Sequence, residues 1–242
     1  MSVHSEPKFL DAGDAALVIE FGDSIDPMLN ARVLALDAAV RAAAIPGVVE
    51  TVPTYRSLMV QVDPLVFDYD AFVSHARTMI AGLDVASVHG RRWRVPVVYG
   101  GEFGIDLEDV AERHKMTASD VIDIHSSGLY RVYMIGFMPG YTYLGGLDPR
   151  IATSRRLNPR LMTPEGTVSI GGIQALVAGC AMPSGWHLLG RTPAITFMAQ
   201  RDPATLFEPG DEIVFNPIDA SKWDKLRRDA EHGDPIVELI PA

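Results

Sequence analysis

The chain has 242 residues, 48% hydrophobic and 21% charged, with a formal net charge of −10; that is enough for one large core or two modest ones and excludes a disordered chain. No apolar run reaches the roughly 18–20 residues of a bilayer crossing, and so acidic a chain opposes nucleic acid and anionic membrane as partners. The polar start MSVHSEPKFLDAGD lacks the basic-then-apolar pattern of a signal peptide, and the single Cys180 cannot form an internal disulfide, so the expectation is a soluble, cytoplasmic protein.

In chain order, AALVIEF (15–21) reads as a strand. The segment SIDPMLNARVLALDAAVRAAA reads as a helix capped by Asp26, with Pro27 at its first position. VVETVP (48–53) and SLMVQVD (57–63) are two strand-like runs around a short turn, and DYDAFVSHARTMIAGL (68–83) is a second amphipathic helix. RRWRVPVVYG, with a proline inside it, suits an edge strand or the start of a domain. The order β-α-β-β-α-(β) predicts a ferredoxin-like layer, one sheet with two helices on one face, over residues 1–90.

Residues 91–242 have a different character. Two short helices, DLEDVAERHK (106–115) and TASDVIDIHSS (117–127), come first, the second with a near-capping box of Thr117 and Asp120. Ten of the chain's 21 glycines then fall within 136–190, between short strand-like pieces: TVSIGGIQALVAG, WHLLG, AITFMA and EIVFNPI. Frequent short strands with Gly and Pro punctuation predict an antiparallel barrel or sandwich. The charged segment 219–234 reads as partly helical, with PIVEL as a last strand. The overall class is α+β.

No phosphate-binding glycine loop and no G-x-S-x-G elbow is present; Ser169 in GTVSIGG has the wrong spacing. The seven histidines (4, 75, 89, 114, 125, 187, 232) form no metal-ligand motif, so no metal is expected. His125, at a helix end, reads either as a C-terminal cap or as a catalytic or binding imidazole. Cys180 reads as a small core residue and the acidic helix DLEDVAE as a solvated face. Arg131, Tyr133, Gln174, Arg191 and Thr192 place polar groups in apolar, glycine-rich β segments. Such groups need partners, which are either an internal network or a ligand carboxylate or amide. The stretch GFMPGYTYLGG (136–146) reads as a tight turn or as the wall of a site.

Several long segments, in order, resemble the family of B-type 5-oxoprolinase subunits, also called allophanate hydrolase subunit 1, which includes the Kip-type inhibitor of a sporulation histidine kinase. They are VYGGEFGIDLEDVAE, DVIDIHSS, YRVYMIGFMPGYTYLGGLDPRIAT, NPRLMTPEGTVSIGGIQ and PSGWHLLGRTP, joined by N-terminal matches in FLDAGDAALVIEFGDSIDPMLNARV and YRSLMVQVDP. The resemblance implies a small N-terminal α/β domain followed by a cyclophilin-like β-barrel, with no prolyl isomerase activity attached to that fold. It also implies a hydrolase subunit, inactive alone, that works with a homologous barrel subunit (the C-type one, or allophanate hydrolase subunit 2) and a third subunit. That complex opens 5-oxoproline to glutamate, or cleaves allophanate, at the expense of ATP. No cofactor motif is visible in this chain itself.

In that light GFMPGYTYLGG becomes site wall or subunit interface first, with Phe137, Tyr141 and Tyr143 as lining residues; Tyr141 stands where the family usually has Phe. Arg131, Tyr133, Gln174, Arg191 and Thr192 become candidates for holding a small carboxylate- or amide-bearing substrate, and His125 the candidate proton carrier. The chain departs from the family's Q-T-G-x-Y-P run with Gln174–Ala175–Leu176–Val177–Ala178–Gly179, and it has Met182–Pro183–Ser184–Gly185–Trp186 for Ser-Pro-Gly-Gly-Trp. These changes bear on substrate identity, or on whether activity is kept at all, rather than on fold. Two other functions stay open: a protein that binds and inhibits a histidine kinase, and a stand-alone small-molecule binding domain.

Overall fold

The computed structural model describes residues 3–85 and 90–241. Contacts divide the chain into two units, Met1–His89 and Gly90–Ala242.

The first unit comprises β1 (Val3–Asp11), β2 (Ala16–Gly22), α1 (Pro27–Ala43), β3 (Val48–Pro53), β4 (Ser57–Val62) and α2 (Tyr69–Ala81). Its strands form one antiparallel sheet in the order β1-β2-β4-β3. The α1 start is local chemistry: the Asp26 carboxylate accepts from the Met28 and Leu29 amides, and Pro27 contributes no amide to satisfy. Period-two alternation then sets the layers. Leu17, Ile19 and Phe21 of β2 and Leu58, Val60 and Val62 of β4 share one core with Leu29, Val33, Leu36 and Val40 of α1 and with Phe72 and Ala76 of α2. The strand at 92–99 lies in the second unit, the domain start that its proline-containing run allowed, and the sheet edge beside β2 is taken by β1. Glu6, Pro7 and Lys8 make β1 polar and proline-interrupted, which suits an edge but conceals the strand from a hydrophobic pattern.

The second unit comprises β5 (Arg92–Tyr99), α3 (Leu107–His114), α4 (Ala118–Ser126), β6 (Tyr130–Ile135), β7 (Thr142–Gly145), β8 (Arg160–Thr163), β9 (Thr167–Gly171), β10 (Gln174–Val177), β11 (Met182–Ser184), β12 (His187–Arg191), β13 (Glu212–Pro217), α5 (Trp223–Glu231) and β14 (Glu238–Ile240). Seven strands close a barrel in the order β5-β12-β9-β10-β7-β6-β13, with β13 returning to β5 in a parallel pairing. The last strand, β14, runs beside the first half of β5, and β8 and β11 form a separate two-stranded ribbon. Val95, Val97, Val132, Leu144, Val168, Ile170, Ala175, Val177 and Leu189 belong to one core that also takes in Val110 and Val121 of the two helices. A barrel this small is filled by its own side chains, so a ligand must be met elsewhere. AITFMA (194–199) is not a strand: within it, Phe197 makes an isolated bridge to Thr205. The reason is Arg201, whose guanidinium donates to the carbonyls of Ile195, Thr196, Pro203 and Ala204 and folds that segment into a loop. Among the described residues no helix is long and apolar enough to cross a membrane.

One carboxylate stitches the barrel where its parallel pair begins. Asp211, buried just before β13, accepts from the Arg91 amide (2.9 Å), the Arg91 guanidinium (2.7 Å), the Trp93 indole (2.9 Å) and the Glu208 amide (3.0 Å). Asp211→Ala would leave these donors without their acceptor, and we expect it to cost about 3–5 kcal/mol. Urea unfolding followed by Trp fluorescence measures this; a loss below about 1 kcal/mol, the size of an ordinary exposed ion pair, would show that the clamp is dispensable.

Candidate functional site

The glycine-rich stretch 136–146 links β6 to β7 and continues into β7. Three of its four glycines have no substitute; at Gly146, φ 104°, a Cβ would stand 2.5 Å from the Leu129 carbonyl oxygen. Gly140 lies at φ 66°, and a Cβ there would stand 2.7 Å from both Phe197 Cβ and Thr196 Oγ1. At Gly145 a Cβ would meet the Tyr133 ring at 2.3 Å. This tight seating delivers three aromatic rings to the outside of the barrel.

Strand alternation determines which side chains join them. In β10, Ala175 and Val177 face the core, while Leu176 faces outward with Tyr143, its partner on β7. The outward side carries a second apolar cluster of Tyr141, Leu176, Ala178, Met182 and Trp186, with Tyr143 against it. The ring contacts are edge-to-face: Phe137 to Tyr141 at 5.6 Å, Tyr141 to Tyr143 at 4.9 Å and Tyr143 to Trp186 at 6.2 Å. Trp186 lies flat on Gly171 of β9, where a Cβ would approach its ring to 2.7 Å. At these rings is a cleft of about 280 Å³, lined by Phe137, Tyr141, Tyr143 and Trp186 together with Arg155, Arg156, Pro159 and Ser184. Burial raises the pKa of the Tyr141 and Tyr143 phenols, and the Arg155 charge partly offsets that rise. Both therefore stay protonated as hydrogen-bond donors at neutral pH.

The arginine side of the cleft is anchored by Asp106. Its buried carboxylate accepts two bonds from Arg160 (2.8 and 2.6 Å), one from Arg156 (3.2 Å) and one from the Leu188 amide (2.8 Å). Burial pushes its pKa up, but the Arg160 and Leu188 hydrogen bonds and the two arginine charges outweigh that and hold it below the usual range. The acidic helix is therefore not wholly a solvated face. Glu108 and Glu112 are exposed, but Asp106 is buried and shared between α3, β12 and the 156–160 segment.

The remaining residues singled out in the sequence do not converge on this cleft. Arg131 pairs across the sheet with Gly145 and Glu212, and Tyr133 packs on Gly145. Gln174 begins β10 opposite Gly171. Arg191 stacks on Trp223 at 4.8 Å and donates to the Glu165 carbonyl, beside the Glu165–Arg227 ion pair. Burial lowers its pKa. Thr192 is fully buried, and its hydroxyl accepts from the Ala194 amide. Arg191 and Thr192 thus sit in an internal network, one of the two readings their positions allowed.

His125, the candidate proton carrier, packs against the barrel core. It is fully buried, stacked on Phe215 at 4.8 Å, and its Nδ1 shares a 2.8 Å hydrogen bond with the Tyr99 hydroxyl. Burial lowers its pKa from the ordinary 6.5 to about 3, so at neutral pH it is an uncharged core group. Cys180 is only half-buried, near enough to Tyr141 to raise its pKa, so it is not a core residue. Among the described residues no group of three or more His, Cys, Asp or Glu side chains could hold a metal ion; His89 lies outside the described residues.

Residues 7–207 match the family model described as the carboxyltransferase domain, subdomain C and D. The chain is 38% identical over 229 residues to the B-type 5-oxoprolinase subunit of Bacillus subtilis (strain 168), covering 90% of this chain and 95% of that one. The chain belongs to the family of B-type 5-oxoprolinase subunits. Among solved structures, it matches TTHA0988 with a TM-score of 0.76 at 30% identity, over 85% of this chain and 40% of that longer one. The urea amidolyase of K. lactis shares the fold, with a TM-score of 0.81 at 19% identity, over 99% of this chain and 17% of that one.

Against the pattern of this 5-oxoprolinase family, the departures after Gln174 now have a physical form. Where the pattern carries Gly and Tyr, this chain carries Leu176 and Ala178, and both belong to the outer cluster. Ala175, where the pattern carries Thr, faces the barrel core instead.

Two expected outcomes follow from this geometry. Gly171→Ala places a methyl under Trp186, so the indole must lift; the expected cost is about 1–3 kcal/mol with a shifted Trp emission maximum, and an unchanged spectrum would mean that Trp186 does not rest on β9. Because His125 is lowered in the folded state, the unfolded chain binds the extra proton between about pH 6.5 and 3. Folding stability therefore falls as pH drops through that window, and His125→Phe should flatten the fall between about pH 6 and 4. Urea melts at several pH values check this, and equal slopes for both proteins would refute it.

Proposed function

We propose that this chain is the non-autonomous B-type subunit of an ATP-dependent amide (C–N) hydrolase complex that opens 5-oxoproline to glutamate. The observation that carries this is the 38% identity to the B. subtilis 5-oxoprolinase relative over nearly the full length of both chains. The aromatic cleft supports the same reading. It offers phenols, guanidinium groups and a serine hydroxyl around apolar rings, a set suited to binding and orienting a small ligand that carries an amide or carboxylate. The attack on the C–N bond and the handling of ATP then fall to the homologous barrel subunit and the third subunit. The loss of a wall phenol at 178 bears on whether 5-oxoproline or an allophanate-type molecule is the preferred substrate.

The test is to co-express the three subunits and measure ATP-dependent release of glutamate from 5-oxoproline. The expected result is turnover by the assembled complex and none by this chain alone. Turnover by the isolated chain, or a stable complex inert toward 5-oxoproline, would overturn the assignment.

A further inference from the structure

The cleft holds an arginine that no acid among the described residues pairs with. Arg156 and Arg160 share the Asp106 carboxylate, and Arg150 pairs with Asp148 at 2.7 Å. Arg155 makes no ion pair among the described residues. Its guanidinium instead lies over the Trp186 ring, 5.2 Å from the centroid, at the edge of the cleft. Stacking holds a guanidinium's plane and leaves its edge N–H donors free to meet a planar oxyanion two at a time. Arg155, Arg156 and Arg160 against the single Asp106 leave two uncompensated positive charges here, on a chain whose formal charge is −10. A strongly acidic protein that keeps this excess beside a ring-lined cleft has a local preference for anions. Arg156 is fixed by Asp106 and cannot turn to a ligand without breaking that bond, whereas Arg155 can.

We propose that Arg155 is the carboxylate anchor of the cleft, and that its ligand is a small ring amide bearing a carboxylate, with its apolar ring edge against Tyr143 and Trp186. The inference rests on the functional reading above and adds to it the residue that recognises the substrate's charge. At about 280 Å³ the cleft lies just below the range of drug-sized pockets, which suits a ligand of a single ring. Arg155 is exposed, so its replacement removes a charge without opening the core.

The test uses the assembled complex and two ring amides, 5-oxoproline and 2-pyrrolidinone, the second being the same lactam without its carboxylate. For Arg155→Gln the expected result is a KM for 5-oxoproline raised roughly ten- to hundredfold with kcat little changed. The inhibition constant of 2-pyrrolidinone should stay within about twofold of wild type, and Arg155→Lys should recover part of the loss, because it keeps charge but not the fork. A Tm equal to wild type establishes that the variant is folded. An equal loss for both lactams would mean that Arg155 only positions Trp186, and would overturn the proposal. Unchanged KM in a complex that turns over 5-oxoproline would overturn it while sparing the functional reading. No turnover by the wild-type complex would overturn that reading and the anchor with it.

Discussion

A buried carboxylate is costly unless its charge is matched and its lone pairs are filled. Asp106 meets both conditions by drawing in two arginines and a backbone amide from parts of the chain 50 to 82 residues away. Those partners lie in the 156–160 segment and on β12, so one desolvated charge dictates where the arginine side of the cleft stands relative to the ring side. The aromatic residues are set by strand alternation in β7 and β10 and by Gly171 beneath Trp186. The two sets are joined where the Arg156 amide donates to the Gly185 carbonyl and Arg155 stacks on Trp186, so the cleft is shaped by backbone geometry and electrostatics together.

The parts of the fold legible in the sequence are those decided within a few residues. The Asp26–Pro27 helix start and the Thr117–Asp120 capping box are both present in the structure, because each is a bond between near neighbours. Pairing partners are not local. Strand 92–99 carried the right pattern but joined the barrel, where β13 and β12 supply its neighbours, and β1 filled the sheet edge despite a polar sequence.

The cleft's lining residues follow the same division. Phe137, Tyr141 and Tyr143 share one wall because they lie within a single short glycine-rich stretch. Arg131, Gln174 and Arg191 looked alike in sequence, as polar groups in apolar strands, yet they lie at separate places around the barrel. Arg155, which lines the cleft, and Asp106, which anchors its neighbour Arg156, are invisible in sequence for opposite reasons: one resembles any surface arginine in a basic run, and the other any exposed acid at a helix start. Leu176 and Ala178 belong to the packed outer surface, whereas Ala175 between Gln174 and Leu176 turns to the barrel core.

Phe137 sits at φ 72° with 73% of its surface exposed. A residue with a Cβ gives up about 1–2 kcal/mol in that left-handed conformation, and an exposed ring recovers little of it by burial. Glycine or asparagine at 137 would relax the turn, so folding stability alone favours losing the ring. The position is thus one where folding stability and the keeping of an exposed ring pull in opposite directions. A stabilised variant obtained by screening for heat resistance would tend to shed the outermost aromatic of the cleft.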